Sequence, residues 1–135
     1  MQPSKQDMFC EGQQVATTST TASTNVLDFH AHGDDILNKL FLVVLITVAL
    51  VGAGTVTIKW QTCDAEDFGS GVVETLLTPT ALSATDTAGT FAVKNAALPR
   101  GLKRYNRLLF TAADTITTAP AFTAFIVDAR VEPLA

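Results

Sequence analysis

One uncharged segment limits what this chain can fold into. From Leu40 to Ile58 no side chain carries a charge over 19 positions, a length close to the roughly 20 apolar residues that span a bilayer as a helix. The segment is nevertheless rich in β-branched residues and is interrupted by Gly52 and Gly54. Its second half, from Thr55 onward, alternates polar and apolar residues with the period of a strand. These features favour two strands joined as a hairpin over a membrane helix.

Short strands separated by turn residues also explain most of the remaining chain. No apolar pattern with a period of about 3.6 residues is sustained over a helix length. The threonine-rich stretch from residue 17 to 24 is interpreted as a turn. The strands predicted outside the hairpin cover residues 14 to 18, 25 to 29, 73 to 79, 89 to 94, 105 to 112 and 122 to 130. About eight strands of this kind indicate an all-β fold, either an antiparallel β-sandwich or a jelly roll.

The length and the charge of the chain narrow its class further. With 135 residues it fits one domain with a core of its own. We assign residues 13 to 135 to that domain and residues 1 to 12 to an N-terminal arm. The formal net charge of −4 argues against nucleic acid as a direct partner, because phosphate binding needs a dominant positive field. No basic and then apolar leader opens the chain, so secretion is not expected.

One group of residues has the chemistry of metal ligands. If His30 and His32 lay in a strand they would share a face and could offer two imidazoles to Zn²⁺ or Fe²⁺, with Asp28, Asp34 or Asp35 as a further ligand. On a jelly roll this His-x-His pattern is also similar to the site of cupin metalloenzymes, but that site needs a glutamate and another histidine from a later strand, and these are the only two histidines of the chain. We expect a polar loop with no metal and no cofactor. No nucleophile elbow or phosphate-binding motif is present either, so we do not expect an enzyme.

A cluster of positive charge is the clearest candidate for binding. We call residues 100 to 107 the basic segment, because Arg100, Lys103, Arg104 and Arg107 fall within these eight positions of an otherwise acidic chain. One interpretation is a locally basic edge that docks on an acidic protein surface. The other is a solvated strand face whose cations pair with nearby carboxylates and contribute little free energy.

Several short motifs, taken in order, resemble those of a known family. Residues 98 to 108 resemble the Leu-Pro-Arg-Gly-Leu-x-Arg-Tyr-x-Arg-Leu segment of the Bbp16-type capsid cement proteins of tailed bacteriophages. The resemblance departs at residues 2 to 7, at residues 30 to 35 and in the proline-containing tail. It spans roughly residues 8 to 131 and includes weaker similarities at residues 22 to 28, 39 to 44, 54 to 62, 67 to 70 and 122 to 128.

This resemblance implies a jelly-roll fold and a structural function. A cement protein binds the outer capsid surface across neighbouring subunits of the major capsid protein and stabilises the DNA-filled head. The resemblance also implies a homodimer, although a trimer would suit a three-fold site. It places the protein on the virion after assembly in the host cytoplasm. In such a reducing compartment Cys10 and Cys63 are expected to remain unpaired.

The residues that contact the capsid are assigned as a hypothesis. They are four cations and two apolar residues of the N-terminal arm, namely Arg100, Lys103, Arg104, Arg107, Met8 and Phe9. Attachment through the cations would weaken as salt rises, whereas attachment through the apolar residues would be nearly insensitive to salt.

The alternative function is a jelly-roll carbohydrate-binding module from a receptor-binding part of a virion. Sugar sites usually present stacking aromatic rings. Here Trp60 and Tyr105 are the only tryptophan and the only tyrosine, so the sequence gives this alternative little support.

Overall fold

The computed structural model describes residues 8–17, 19–28, 41–78, 81–97 and 103–127. Within these residues the chain is all-β and contains eleven strands. No helix of this described part is long and apolar enough to cross a membrane. The strands are β1 (Met8–Gln14), β2 (Thr20–Ala22), β3 (Leu27–Asp28), β4 (Phe41–Val48), β5 (Val51–Gly52), β6 (Thr55–Cys63), β7 (Val73–Leu76), β8 (Phe91–Ala97), β9 (Tyr105–Ala113), β10 (Ile116–Thr118) and β11 (Ala121–Val127).

Two antiparallel sheets form a sandwich with jelly-roll topology. One sheet has the order β1-β11-β4-β8, and the other has the order β2-β9-β6-β7 with β3 also paired to β9. Strands β2 and β3 act as one interrupted strand, because both pair with the same edge of β9. The short strands β5 and β10 pair separately with each other. With β2 and β3 counted as one strand and β5 and β10 left aside, the strands of both sheets follow the order of a jelly roll. The predicted fold class is therefore confirmed, although the strands number eleven rather than eight.

The two halves of the uncharged segment lie in different sheets, so the predicted hairpin is wrong. Strand β4 pairs with β11 and β8, whereas β6 pairs with β9 and β7. The chain crosses between the sheets at a corner where β5 meets β10. At this corner Gly52 has a φ of +124°, and a Cβ on Gly54 would lie 2.7 Å from the carbonyl oxygen of Ala113. The two glycines therefore serve a close approach of backbones rather than a tight turn.

Burial on both faces explains why β4 carries no charge. Leu42, Val44 and Ile46 lie in the core between the sheets, and Val43 on the other face is also fully buried. A strand with two buried faces is expected to be almost continuously apolar. The membrane-like composition of this segment is thus the composition of a central strand.

Aromatic side chains join the two sheets. Trp60 of β6 meets Phe9 of β1 edge to face, with 5.1 Å between ring centroids. Phe110 of β9 stacks on Phe122 of β11, with centroids 5.0 Å apart and the rings nearly parallel. Aromatic pairs in such arrangements add to the free energy of burying their area. These two contacts carry the packing of one sheet on the other.

The first strand begins earlier than the sequence analysis predicts. The predicted strand at residues 14 to 18 is wrong for residues 15 to 17, which follow the end of β1 and are not in a strand, while residue 18 lies outside the described residues. Val15 donates its N–H to the carbonyl of Pro120. Residues 8 to 12, assigned to the arm, belong to β1 and pair with β11. Residues 1 to 7 lie outside the described residues. The apolar run at Met8 is therefore a strand of the sheet.

The two thiols are free and buried. Cys10 lies in β1 and Cys63 in β6, so they belong to opposite sheets. Burial raises the pKa of the Cys10 thiol from 9.0 to about 11, and a hydrogen bond with the backbone of Ala124 opposes part of this shift. Cys10 is therefore a protonated, unreactive thiol at neutral pH.

The inter-sheet stacking predicts a specific loss of stability. Changing Phe122 to alanine should lower the free energy of unfolding by about 3 to 5 kcal/mol, because it removes a buried ring from between the sheets. Phe125 is the matched control, since it lies on the same strand but on the half-buried outer face, and its change to alanine should cost less. Urea unfolding measures both values, and equal losses would contradict this account of the core.

The buried thiol predicts a dependence of stability on pH. The folded state holds the Cys10 proton more tightly than the unfolded state. The contribution of the protonated thiol to the free energy of unfolding is therefore fully present below about pH 9 and is lost as the pH rises toward about 11. Urea unfolding at intervals across this range should show a steeper decline for the natural chain than for Cys10→Ala. Parallel declines in the two proteins would show that Cys10 does not cause the effect.

Candidate docking surface

A buried amide fixes the backbone at Lys103 and Arg104, within the described part of the basic segment. Asn106 is fully buried, and its Oδ1 accepts a hydrogen bond from the indole N–H of Trp60 at 3.0 Å. Its Nδ2 donates to the carbonyl oxygens of Lys103 at 3.0 Å and of Arg104 at 3.3 Å. The backbone that carries the cations is thereby tied to the core. The alternation of β9 then directs Tyr105 and Arg107 away from the core.

Arg104 forms a forked ion pair with Asp28. Its Nε and Nη2 donate to the two carboxylate oxygens at 2.9 and 3.0 Å, and its guanidinium carbon lies 5.0 Å from the centroid of the Tyr105 ring. The hydrogen bond that Arg104 donates to Asp28 raises the pKa of Arg104, against a smaller effect of desolvation. The side chain of Arg104 is still 45% exposed, so the pair orients the guanidinium without removing it from solvent.

Arg107 is held on the outer face of the sheet. Its Nε donates to Oε1 of Gln61 at 2.7 Å, and its guanidinium lies 4.1 Å from the centroid of the Phe68 ring. Gln61 in turn donates to a carboxylate oxygen of Glu74, whose other oxygen lies 3.9 Å from Nζ of Lys59. These side chains form a continuous network across β7, β6 and β9.

Lys103 holds the loop of residues 64 to 72 against the sheet. Its Nζ donates to the carbonyl oxygen of Gly71 at 2.7 Å, while its backbone N–H donates to Oγ1 of Thr62 at 2.6 Å. At the other end of the loop the thiol of Cys63 donates to the carbonyl of Ser70 at 3.0 Å. Phe68, buried at the centre, adopts a φ of 54°, a strained value for a bulky residue. The loop is therefore fastened at several points.

The described cations of this surface do not make it basic. Lys59, Lys103, Arg104 and Arg107 contribute four positive charges, and they lie among the five carboxylates of Asp28, Asp64, Glu66, Asp67 and Glu74. The difference of four and five leaves one negative charge. Of the two interpretations of the basic segment, pairing with nearby carboxylates therefore describes Arg104, and the charges of the described residues on this surface nearly balance.

The other residues predicted to contact the capsid are Met8, Phe9 and Arg100. Phe9 is fully buried against Trp60, and Met8 is 8% exposed, so neither offers an exposed apolar surface. Arg100 lies outside the described residues. Beside β1 there is a shallow hollow of about 370 Å³ lined by Met8, Cys10, Glu11, Thr24 and Asn25.

The predicted loop of histidines is largely outside the described residues. His30, His32, Asp34 and Asp35 all fall in the undescribed stretch between β3 and β4. Asp28 is described, and both of its carboxylate oxygens bind Arg104. Among the described residues no three His, Cys, Asp or Glu side chains come together as metal ligands. The absence of a metal stays a prediction.

Sequence reasoning missed three residues that organise this surface. Asn106 carries a signal, because it is a polar residue in register with the inward-facing Leu108 and Phe110 of β9. Gln61 and Phe68 carry no such signal, since each acquires its role from a partner about 40 positions or more away along the chain.

The fold is that of a small jelly-roll protein, and hydrogen bonds and ion pairs connect the polar side chains of this surface to one another. A family model described as Bbp16 matches residues 9–126. The chain therefore belongs to the Bbp16 family, which indicates a bacteriophage-related protein. The resemblance found in the sequence is thus confirmed at the level of the family. No curated protein matches the chain.

The Asn106 anchor predicts a loss of stability on truncation. Asn106→Ala would leave the indole N–H of Trp60 buried without its acceptor, which should lower the free energy of unfolding by about 1 to 3 kcal/mol. Asn25→Ala is the control, because Asn25 is exposed and its amide donates to the carbonyl of Met8. Chemical unfolding followed by tryptophan fluorescence should separate the two variants. If they were equally stable, the anchor would have no energetic role.

Proposed function

We propose that this protein is a capsid cement protein of a tailed bacteriophage. It would bind the outer surface of the head across neighbouring subunits of the major capsid protein and stabilise the shell that holds the packaged DNA. The observation that carries the proposal is the Bbp16 family match over residues 9–126, together with the cement motifs to which the sequence is similar. Under this proposal the protein is a structural component rather than an enzyme, and it resides on the virion.

The stabilising effect would follow from mass action. A ligand that binds the assembled shell better than its separate subunits shifts the equilibrium toward the shell. Many copies on one particle add their contributions, and a subunit with two attachment points gains effective concentration for the second contact. A homodimer, proposed here as the form that binds, would supply two such points.

The proposed partner is protein rather than nucleic acid. The net charge of −4 opposes approach to DNA or RNA phosphates. The described cations of the basic segment are already engaged by Asp28, Gln61 and the carbonyl of Gly71. A contact of the basic segment with the shell remains part of the proposal, and it would have to be made by the exposed faces of these groups.

The carbohydrate-binding alternative finds no favourable observation in the described residues. Trp60 is fully buried and bonded to Asn106, so its ring is not available for stacking on a sugar. Tyr105 is partly buried beneath the guanidinium of Arg104. The residues that would make a sugar platform thus serve the core and an ion pair.

The proposal predicts a difference between decorated and undecorated heads. Purified virions should contain the chain in a fixed ratio to the major capsid protein. DNA-filled particles that lack it should release their DNA at a lower temperature, and adding back the purified protein should restore the original release temperature. DNA release can be followed by the fluorescence of an intercalating dye. If undecorated, fully packaged particles were as heat-resistant as decorated ones, the cement function would be wrong even for a protein found on the virion.

A further inference from the structure

Strand β7 is an exposed sheet edge. All four of its residues are exposed, including Val73 at 48% and Leu76 at 51%. One side of β7 pairs with β6 in regular register from Thr62↔Val73 to Lys59↔Leu76. No described strand pairs with its other side, because β7 ends the order of its sheet.

The backbone of β7 directs hydrogen-bonding groups outward. Leu77 donates its N–H to the carbonyl of Ile58 at 2.9 Å. Because every second residue of an antiparallel strand directs its backbone N–H and C=O to the same neighbour, those of Thr75 and Val73 also face β6. Glu74 and Leu76 then turn their N–H and C=O groups away from β6. These groups offer a template on which an added strand could form main-chain hydrogen bonds.

The edge of the other sheet at β1 is covered in a way that β7 is not. Along β1, the N–H of Asn25 bonds to the carbonyl of Phe9, and the side chain of Gln13 bonds to the backbone of Ala22 and Thr24. Strand β7 contains no proline, lysine or bulge, which are the usual means of blocking an edge. Its shortness and the charge of Glu74 limit pairing.

The charge beside this edge selects the kind of strand that would fit. Residues 64 to 76, which form the loop before β7 and β7 itself, contain four carboxylates and no cation of their own. The cations that contact them are Lys59 of β6, 3.9 Å from Glu74, and Lys103, which bonds to the carbonyl of Gly71, so the carboxylates outnumber these cations. Glu74 occupies the middle of the edge. A second copy of β7 would bring its own Glu74 opposite or diagonal to this one, and such like-charge pairs are destabilising. A strand with a basic residue at that position would instead be attracted.

We infer that β7 is an addition site for an extended basic segment of a partner protein. The segment would pair with the main chain of Glu74 and Leu76, present Lys or Arg to Glu74, and place an apolar side chain two residues away against Leu76. This mode of recognition takes affinity from backbone hydrogen bonds and specificity from alternate side chains. The inference rests on the proposed function only in naming the partner, which would be the major capsid protein.

The inference is tested with the full chain and a pair of short peptides. The probe is acetyl-STVVKVTS-amide, and its control carries glutamate in place of lysine. Titration of the ¹⁵N-labelled protein should shift the amide signals of Glu74 and Leu76 with the lysine peptide, and the glutamate peptide should bind several-fold more weakly. Shifts confined to other residues, or equal binding of the two peptides, would overturn the inference.

Two variants of Leu76 separate backbone pairing from side-chain contact. Leu76→Pro removes an outward N–H while leaving the bonds to β6 in place, so binding of the lysine peptide should weaken about tenfold. Leu76→Ala keeps the N–H and should weaken binding by only about two- to threefold. Unchanged binding by Leu76→Pro would overturn the inference. If instead this variant converted a dimer of the natural chain to a monomer in sedimentation, a second copy would be the occupant and the inference would be wrong.

A charge variant keeps the test decisive if the proline variant fails to fold. Glu74→Gln should reduce the preference for the lysine peptide over the glutamate peptide by about threefold, as expected for an exposed ion pair. An undiminished preference would count against the role of Glu74. Shell binding is measured separately: failure of the natural chain to bind empty shells would contradict the cement function, while the peptide results would still decide the role of β7.

Discussion

The hydrogen bond between Trp60 and Asn106 connects the core of this protein to its surface. The indole ring packs against Phe9 of the opposite sheet, and its N–H is accepted by a fully buried amide. The same amide donates to the carbonyls of Lys103 and Arg104. Because buried polar groups are costly unless they are satisfied, this one side chain couples the position of Trp60 in the core to the backbone at Lys103 and Arg104.

That anchor determines how the charged residues behave. With the backbone fixed at Lys103 and Arg104, each cation reaches a particular acceptor: a loop carbonyl, a carboxylate or a glutamine. Exposed contacts of this type add little to stability, so their main effect is geometric. Lys103 and Arg107 hold the loop of residues 64 to 72 on the sheet through the carbonyl of Gly71 and the ring of Phe68.

Much of the fold could be predicted from local patterns. Strands β6, β9 and β11 alternate or run apolar over a sufficient length, and turn residues separate them. The pairing of strands could not be predicted, because glycines such as Gly52 and Gly54 mark a change of direction without identifying which strand lies on the other side. Strand β1 was missed because its apolar run is short and is followed by Glu11 and Gly12, which interrupt the strand pattern.

The candidate surface was predicted only in part, for a related reason. The clustering of cations is a local property and was evident. Their partners lie far away in the sequence: Asp28 is 76 positions from Arg104, and Gln61 is 46 positions from Arg107. Folding brings carboxylates from distant parts of the sequence close to the described cations, so the charges around these cations nearly balance.

The corner formed by β5 and β10 has a consequence for how such a protein can diverge or be modified. There two backbones touch with no space for a Cβ at Gly54, so neither the length nor the composition of this connection can change without separating the strands. The turn of residues 83 to 90 differs, since a Cβ on its Gly89 would meet nothing within 4 Å, although the φ of +85° at that position still favours glycine. A foreign peptide inserted into this turn, with Gly89 retained, would therefore leave the sandwich intact, whereas one inserted at the corner would not.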